Sequence, residues 1–132
     1  MTTPKPCKPW MRYLGLTYKL GSDPSSGDAT DCIRLVLRVL EDAGQNPPPL
    51  DRRWYRFLAL KDYASIRDDW FSLTEQTHGP EEYALTLLGT DADFSIAIVV
   101  DEGLLTLKAR VGVVWVPLKS VRPLNYRRLK HV

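Results

Sequence analysis

The amino-acid sequence predicts an α+β fold in which helices come first and an antiparallel sheet follows. Between Ile33 and Leu73 apolar residues recur at spacings of three and four, the repeat of an amphipathic helix. From Tyr83 onward the period changes, and short β-branched runs alternate with turn residues. Size adds a bound: 132 residues with 44% hydrophobic and 26% charged side chains suffice for one core, so one domain is expected.

Residues 1–9, MTTPKPCKP, carry Pro4, Pro6 and Pro9 and are expected to form an extended arm that reaches a neighbouring molecule; the packed domain is expected over 10–132. Trp10, Tyr13 and Leu14 begin it. The stretch GLTYKLGSDPSSGDATDC is rich in Gly, Ser and Asp and reads as a loop delivering Cys32 to the next element. That element is the clearest helix: Ile33, Val36, Leu37 and Leu40 share a face, Arg34, Arg38 and Glu41 lie off it, Thr30 or Asp31 can cap its start, and Gly44 can end it. QNPPPL breaks the chain. Trp54, Phe57, Leu58, Tyr63, Ile66, Trp70 and Leu73 then predict two short helices. YALTLL, FSIAIVV, LLTLK and GVVWVPL predict a strand meander turned by GTDAD, DEG and a glycine-bearing loop. Within FSIAIVV the period of two puts Ser95, Ala97 and Val99 on one face, and this small-residue face is expected to receive the Cys32 helix.

Composition narrows the function classes. No apolar run approaches the roughly 20 residues of a membrane span, and the polar, prolyl start does not read as a signal peptide, so a chain made in the cytoplasm without its own export signal is expected. Cys7 and Cys32 match neither a disulfide framework nor a zinc site; both are read as free thiols, and no metal or cofactor is expected. A net charge of +2 does not argue for nucleic acid. The charge is nonetheless uneven: after Glu102 no acidic residue follows, while Lys108, Arg110, Lys119, Arg122, Arg127, Arg128 and Lys130 do. This basic end is read as a solvated face and docking edge.

Cys32 is the candidate for chemistry. In the first turn of a helix, unpaired amides and the helix dipole favour thiolate over thiol, so its pKa can fall from about 8.5 toward neutrality. The plainer alternative is a small residue filling space beneath the helix. The segment GLTYKLGSDPSSGDATDCIRLV resembles that of the NlpC-type, papain-like cysteine peptidases, in which a tyrosine and a glycine precede a loop ending in Asp-Cys and an apolar helix; Tyr18, Gly21, Asp31 and Cys32 fill those places. FSIAIVVDEGLLTLK resembles the family's two consecutive strands bearing a histidine and then a polar orienting residue. The resemblance implies a papain-like fold, Cys32 as nucleophile and Tyr18 as a helper of the oxyanion. It places Ser95 where the histidine belongs and the orienting residue at Thr106 or Lys108.

Two departures stand out. Ile33-Arg34 follows Asp-Cys where the family has Ser-Gly, and a serine hydroxyl cannot take a thiol proton near neutral pH. His78, in a THGP turn, is the only alternative base, His131 being penultimate and away from the site. The expectation is therefore a non-catalytic structural component of a bacteriophage tail or baseplate, assembled in the cytoplasm and carried in the virion. It would meet other tail proteins through the arm and the basic end. The alternatives are an active cysteine peptidase or amidase cutting peptidoglycan stem peptides through Cys32, and a module binding peptidoglycan or peptide in a groove walled by Trp54, Trp70 or Trp115.

Overall fold

The computed structural model describes residues 8–89, 94–108, 110–122 and 124–130. Cys7, His131 and most of the expected arm lie outside the described residues. Pro9, assigned to the arm, opens a short 3-10 turn, Pro9–Tyr13, that buries Trp10 and Tyr13.

Helix α1 spans Cys32–Asp42, and Asp31 caps it by accepting a hydrogen bond from the Arg34 N–H. Of the two caps the sequence allowed, Asp31 is the one used. Ile33, Leu35, Val36, Leu37, Val39 and Leu40 are all buried, a wider stripe than the sequence spacing marked. Gly44, at φ 85°, ends the helix as expected: in this left-handed conformation it lets the Gln45 N–H reach Leu40 O at 3.0 Å. The prolines then force a break, after which α2 (Leu50–Ala59) and α3 (Tyr63–Leu73) form the two short helices. Trp54 is fully buried between Trp70 and Phe94, with ring centroids at 6.5 and 6.3 Å.

Strands β1 (Thr17–Tyr18) and β2 (Ala29–Thr30) form a small parallel pair. The main sheet contains β3 (Thr74–Gln76), β4 (Leu85–Leu88), β5 (Ser95–Val100), β6 (Gly103–Lys108), β7 (Gly112–Pro117) and β8 (Arg127–Leu129) in the order β3-β8-β4-β5-β6-β7, every pairing antiparallel. The three helices pack on one face of this sheet, giving the α+β class. Among the described residues no helix is long and apolar enough to cross a membrane.

The expected meander is present as β4 to β7, but the expected facing of β5 is corrected. The face of β5 that receives α1 carries Ile96, Ile98 and Val100, which join the α1 residues in one core. Ala97 and Val99 face the other way, into a second cluster with Ala84, Leu104 and Tyr126. An apolar helix stripe needs large partners to fill the space against it, and the small face is filled instead by the later segment that brings Leu118, Val121 and Leu124. Of the basic end, Lys108, Arg110, Lys119, Arg122, Arg128 and Lys130 are exposed, while β8, which carries Arg127 and Arg128, lies inside the sheet between β3 and β4, with Leu129 opposite Thr74 and Arg127 opposite Leu85. Arg128 is engaged at home, pairing with Glu75 at 2.9 Å and Glu81 at 3.3 Å.

The β5–β6 turn places Asp101 and Glu102 at φ 51° and 64° between the paired residues Val100 and Gly103, the twist a two-residue hairpin requires. The Glu82 carboxylate accepts from the Asp101 N–H at 2.9 Å, and the Asp101 carboxylate accepts from the Trp10 indole N–H at 2.6 Å. Trp10 stacks on Trp115 at 6.0 Å, and Trp115 donates to Val100 O at 2.9 Å. A Cβ on Gly103 would lie 2.2 Å from the Trp115 ring, so the hairpin and the indole fit only because that residue is glycine.

Candidate functional site

The site is assembled by the short parallel pair and the α1 N-terminus. Tyr18 on β1 lies opposite Thr30 on β2, and Thr30 is followed directly by Asp31 and Cys32. The Tyr18 side chain is 57% exposed; its hydroxyl is pushed up from the ordinary value, first by partial burial and then by the charges of Asp31 and Cys32.

Asp31 is the most engaged polar group of the molecule. It is 1% exposed, and its carboxylate accepts from Arg34 N–H at 2.8 Å, from Gly21 N–H at 2.6 Å and from the Tyr55 hydroxyl. Burial and the Asp31 carboxylate push the Tyr55 phenol strongly up. The Arg34 guanidinium stands over the Tyr55 ring at 5.8 Å and pairs with Asp51 at 3.6 Å. Tyr55 was invisible to sequence reasoning because it comes from α2 and its contact spans a separation of 24 residues. The only signal was the pair of expected short helices following α1.

Cys32 keeps partial exposure as the first residue of α1. Its sulfur lies where the β5–β6 ladder has opened. Val99 exchanges backbone hydrogen bonds with Tyr83 and Ala84, both at 2.8 Å, so odd-numbered residues of β5 bond toward β4 and even-numbered ones toward β6. The β6 pairing covers only Ile98–Val100, which leaves the Ile96 N–H directed at the Cys32 sulfur. Ser95 lies beside the same sulfur; its hydroxyl is buried and makes no well-aligned hydrogen bond, so it assists a thiolate only weakly. Burial pushes the Cys32 thiol up and the Asp31 charge adds to this, the Ile96 N–H and Ser95 hydroxyl opposing them. The expected drop toward neutrality is thereby corrected: desolvation and an adjacent carboxylate outweigh the helix dipole.

Of the sequence-derived candidates, Tyr18, Gly21, Asp31, Cys32 and Ser95 are brought together; Thr106, Lys108 and His78 are not. Thr106 is buried on the strand face shared with Leu104, the face away from the helices. Lys108 is exposed at the last position of β6, beyond the β5–β6 pairing. His78 is exposed in the turn after β3. That turn leads to Glu82 and Tyr83, which meet β5 at Asp101 and Val99, whereas Cys32 meets it at Ser95 and Ile96. Those two meeting points lie about 13 Å apart along the strand at roughly 3.3 Å per residue, and among the described residues no contact brings His78 to Cys32. Trp54 is core, Trp70 is nearly buried and borders only a concavity lined by no residue of α1, the Cys32 helix, and Trp115 is committed to its stack on Trp10.

Among the described residues no group of three His, Cys, Asp or Glu side chains could hold a metal ion. The arrangement presents a partly exposed thiol with a phenol nearby and, among the described residues, no imidazole beside it. A scan against protein-family models and a search of curated proteins found no match to the chain.

Proposed function

We propose that the chain is a non-catalytic, structural member of the NlpC-type papain-like peptidase fold that serves as a component of a bacteriophage tail or baseplate. The observation that carries the first part is that Cys32 neighbours Ser95 and the Ile96 N–H, Ser95 being the position that the resemblance assigns to the imidazole. A thiol pushed up from its ordinary value, with no neighbouring base among the described residues, neither attacks a carbonyl readily nor returns a proton to a leaving amine. Support for the finer fold comes from the order of parts: a Tyr-Gly loop, Asp-Cys at a helix start, then an antiparallel sheet whose strand end faces the cysteine. Support for the tail setting comes from the resemblance alone.

The experiment uses a Cys7→Ser background, so that Cys32 is the one thiol. Its alkylation rate is followed against pH, and muropeptide turnover is assayed in parallel. The thiol is expected to titrate above the ordinary value of about 8.5, with no product released. Rapid alkylation near pH 6 together with cleavage would return the chain to the enzymes. For the setting, quantitative mass spectrometry of purified phage particles is expected to find the chain as a stoichiometric component, and its absence from particles would remove that part of the proposal.

A further inference from the structure

A second concavity lies between α3 and the β3-β8-β4 end of the sheet, with Leu87 of its lining paired to Ile96 of β5. It has a volume of about 370 Å³ and is lined by Trp70, Phe71, Gln76, Leu87, Asn125 and Arg127. That volume falls within the range of small-ligand pockets, roughly 300–1,000 Å³.

The register explains how these residues converge. Arg127 lies opposite Gln76 on one side and Leu85 on the other, so it emerges on the sheet face that carries the helices. Arg128 points the opposite way, where Glu75 and Glu81 neutralise it. Arg127 has no carboxylate partner among the described residues. Instead its Nε donates to Thr74 Oγ1 at 2.6 Å and one terminal nitrogen donates to Thr74 O at 3.0 Å. Its guanidinium stands over the Phe71 ring at 5.0 Å. The cation is therefore fixed in place by neutral groups and an aromatic face, with its charge unmatched.

The surroundings divide by chemistry. Trp70, 3% exposed, and half-buried Leu87 make an apolar floor, and Phe71, 55% exposed, is a large apolar wall left in water. The exposed side-chain amides of Gln76 and Asn125 sit at the rim, and neither has a side-chain partner among the described residues. One fixed cation, two amides offering both donors and acceptors, and an aromatic floor and wall together match a carboxylate carried next to an amide and an apolar group.

We propose that this pocket binds the carboxylate of an N-acylated apolar amino acid, either free or at the C-terminus of a peptide. The carboxylate pairs with Arg127, the acyl amide meets Gln76 and Asn125, and the apolar side chain lies on Trp70 and Phe71. This inference is independent of the reading of Cys32.

The test titrates the full chain with N-acetyl-phenylalanine and with N-acetyl-phenylalaninamide while following the NMR signals of the Gln76 and Asn125 amides and the Trp70 indole. Saturable shifts are expected with the acid, and the amide is expected to bind about tenfold or more weakly, since it loses a charge-assisted pair. Arg127→Gln should abolish the preference for the acid, and Arg127→Lys, which keeps the charge and loses the fork, should retain part of it. Because Arg127 also holds Thr74, Phe71→Ser is the second variant: it changes an exposed side chain and should weaken both probes. An acetylated peptide ending in phenylalanine distinguishes the sources, binding more tightly than the amino acid if the natural ligand is a chain end and no more tightly if it is a free metabolite. No saturable shift up to about 10 mM, a Kd range that corresponds to almost no specific affinity, would overturn the proposal. So would equal binding of acid and amide, or an acid preference unchanged in folded Arg127→Gln.

Discussion

Replacing Asp31 by Asn separates the structural and chemical parts of its position. Asn caps helices as well as Asp does, so the Arg34 N–H keeps its acceptor. The other carboxylate oxygen now receives both the Gly21 N–H and the Tyr55 hydroxyl, and an amide nitrogen there can accept from neither. The hydroxyl can rotate and accept, but the backbone donor cannot. One unmatched donor costs about 1–3 kcal/mol, and the change from a charged to a neutral bond at Tyr55 removes about 1 more. The sum, roughly 2–4 kcal/mol, is a large part of the 5–15 kcal/mol typical of a domain and corresponds to a Tm lower by about 6–12 °C. Urea unfolding followed by tryptophan fluorescence measures it. The same substitution removes a charge that pushes the Cys32 thiol up, so alkylation of Cys32 in the Cys7→Ser background should titrate at lower pH than in the parent. An unchanged unfolding midpoint would refute the hydrogen-bond accounting, and an unmoved thiol titration would refute the electrostatic one.

Three further outcomes are expected. Ser95→His sets an imidazole beside the sulfur, and Cys32 should then alkylate faster at pH 7; no change would mean that this position does not face the thiol as described. Gly103→Ala drives a methyl group into Trp115 and should destabilise by about 1–3 kcal/mol while breaking the Trp10–Trp115 stack, visible in the near-ultraviolet circular dichroism. Stability should fall in two stages in alkali, since Cys32 is raised and Tyr13 is pushed up to about 12 from 10.0, first by burial and then by its hydrogen bond to Asp42. For both groups the folded state disfavours the anion, so the contribution is full below the unfolded pKa and is lost as pH rises past it. Cys32→Ser should remove the stage beginning at about 8.5, and Tyr13→Phe should lessen the stage beginning at about 10, to which the raised Tyr55 phenol also contributes.

How much of this was legible beforehand depends on the range over which each feature is determined. Helix α1 was readable down to its cap and its terminating glycine because both signals lie within one turn of the helix ends. The meander was readable because each strand carries its own period. Strand β8 was not: three residues, Arg-Arg-Leu, show no period, and their place is fixed by partners that lie far earlier in the chain. The facing of β5 was misassigned because alternation defines two faces without saying which one the helices cover; the bulk of Ile96, Ile98 and Val100 decided it. At the site, Cys32 and Ser95 were found through the order of motifs, whereas Tyr55, which closes the Asp31 carboxylate, comes from another helix and left no local trace.

The position of β8 has a consequence for how the sheet can form. A chain emerging N-terminus first can zip β4 to β7 as consecutive hairpins, each strand meeting the one just made. β3, though earlier than all of them, has β8 as its one sheet neighbour among the described residues and must wait for it. The last pairing to close is thus the one that attaches the end of α3, and a cut in the connection between β7 and β8 would release two strands rather than one. The end of α3 is latched from the far end of the chain, whereas α1 and Trp10 are held by β5 and β7 before that latch engages.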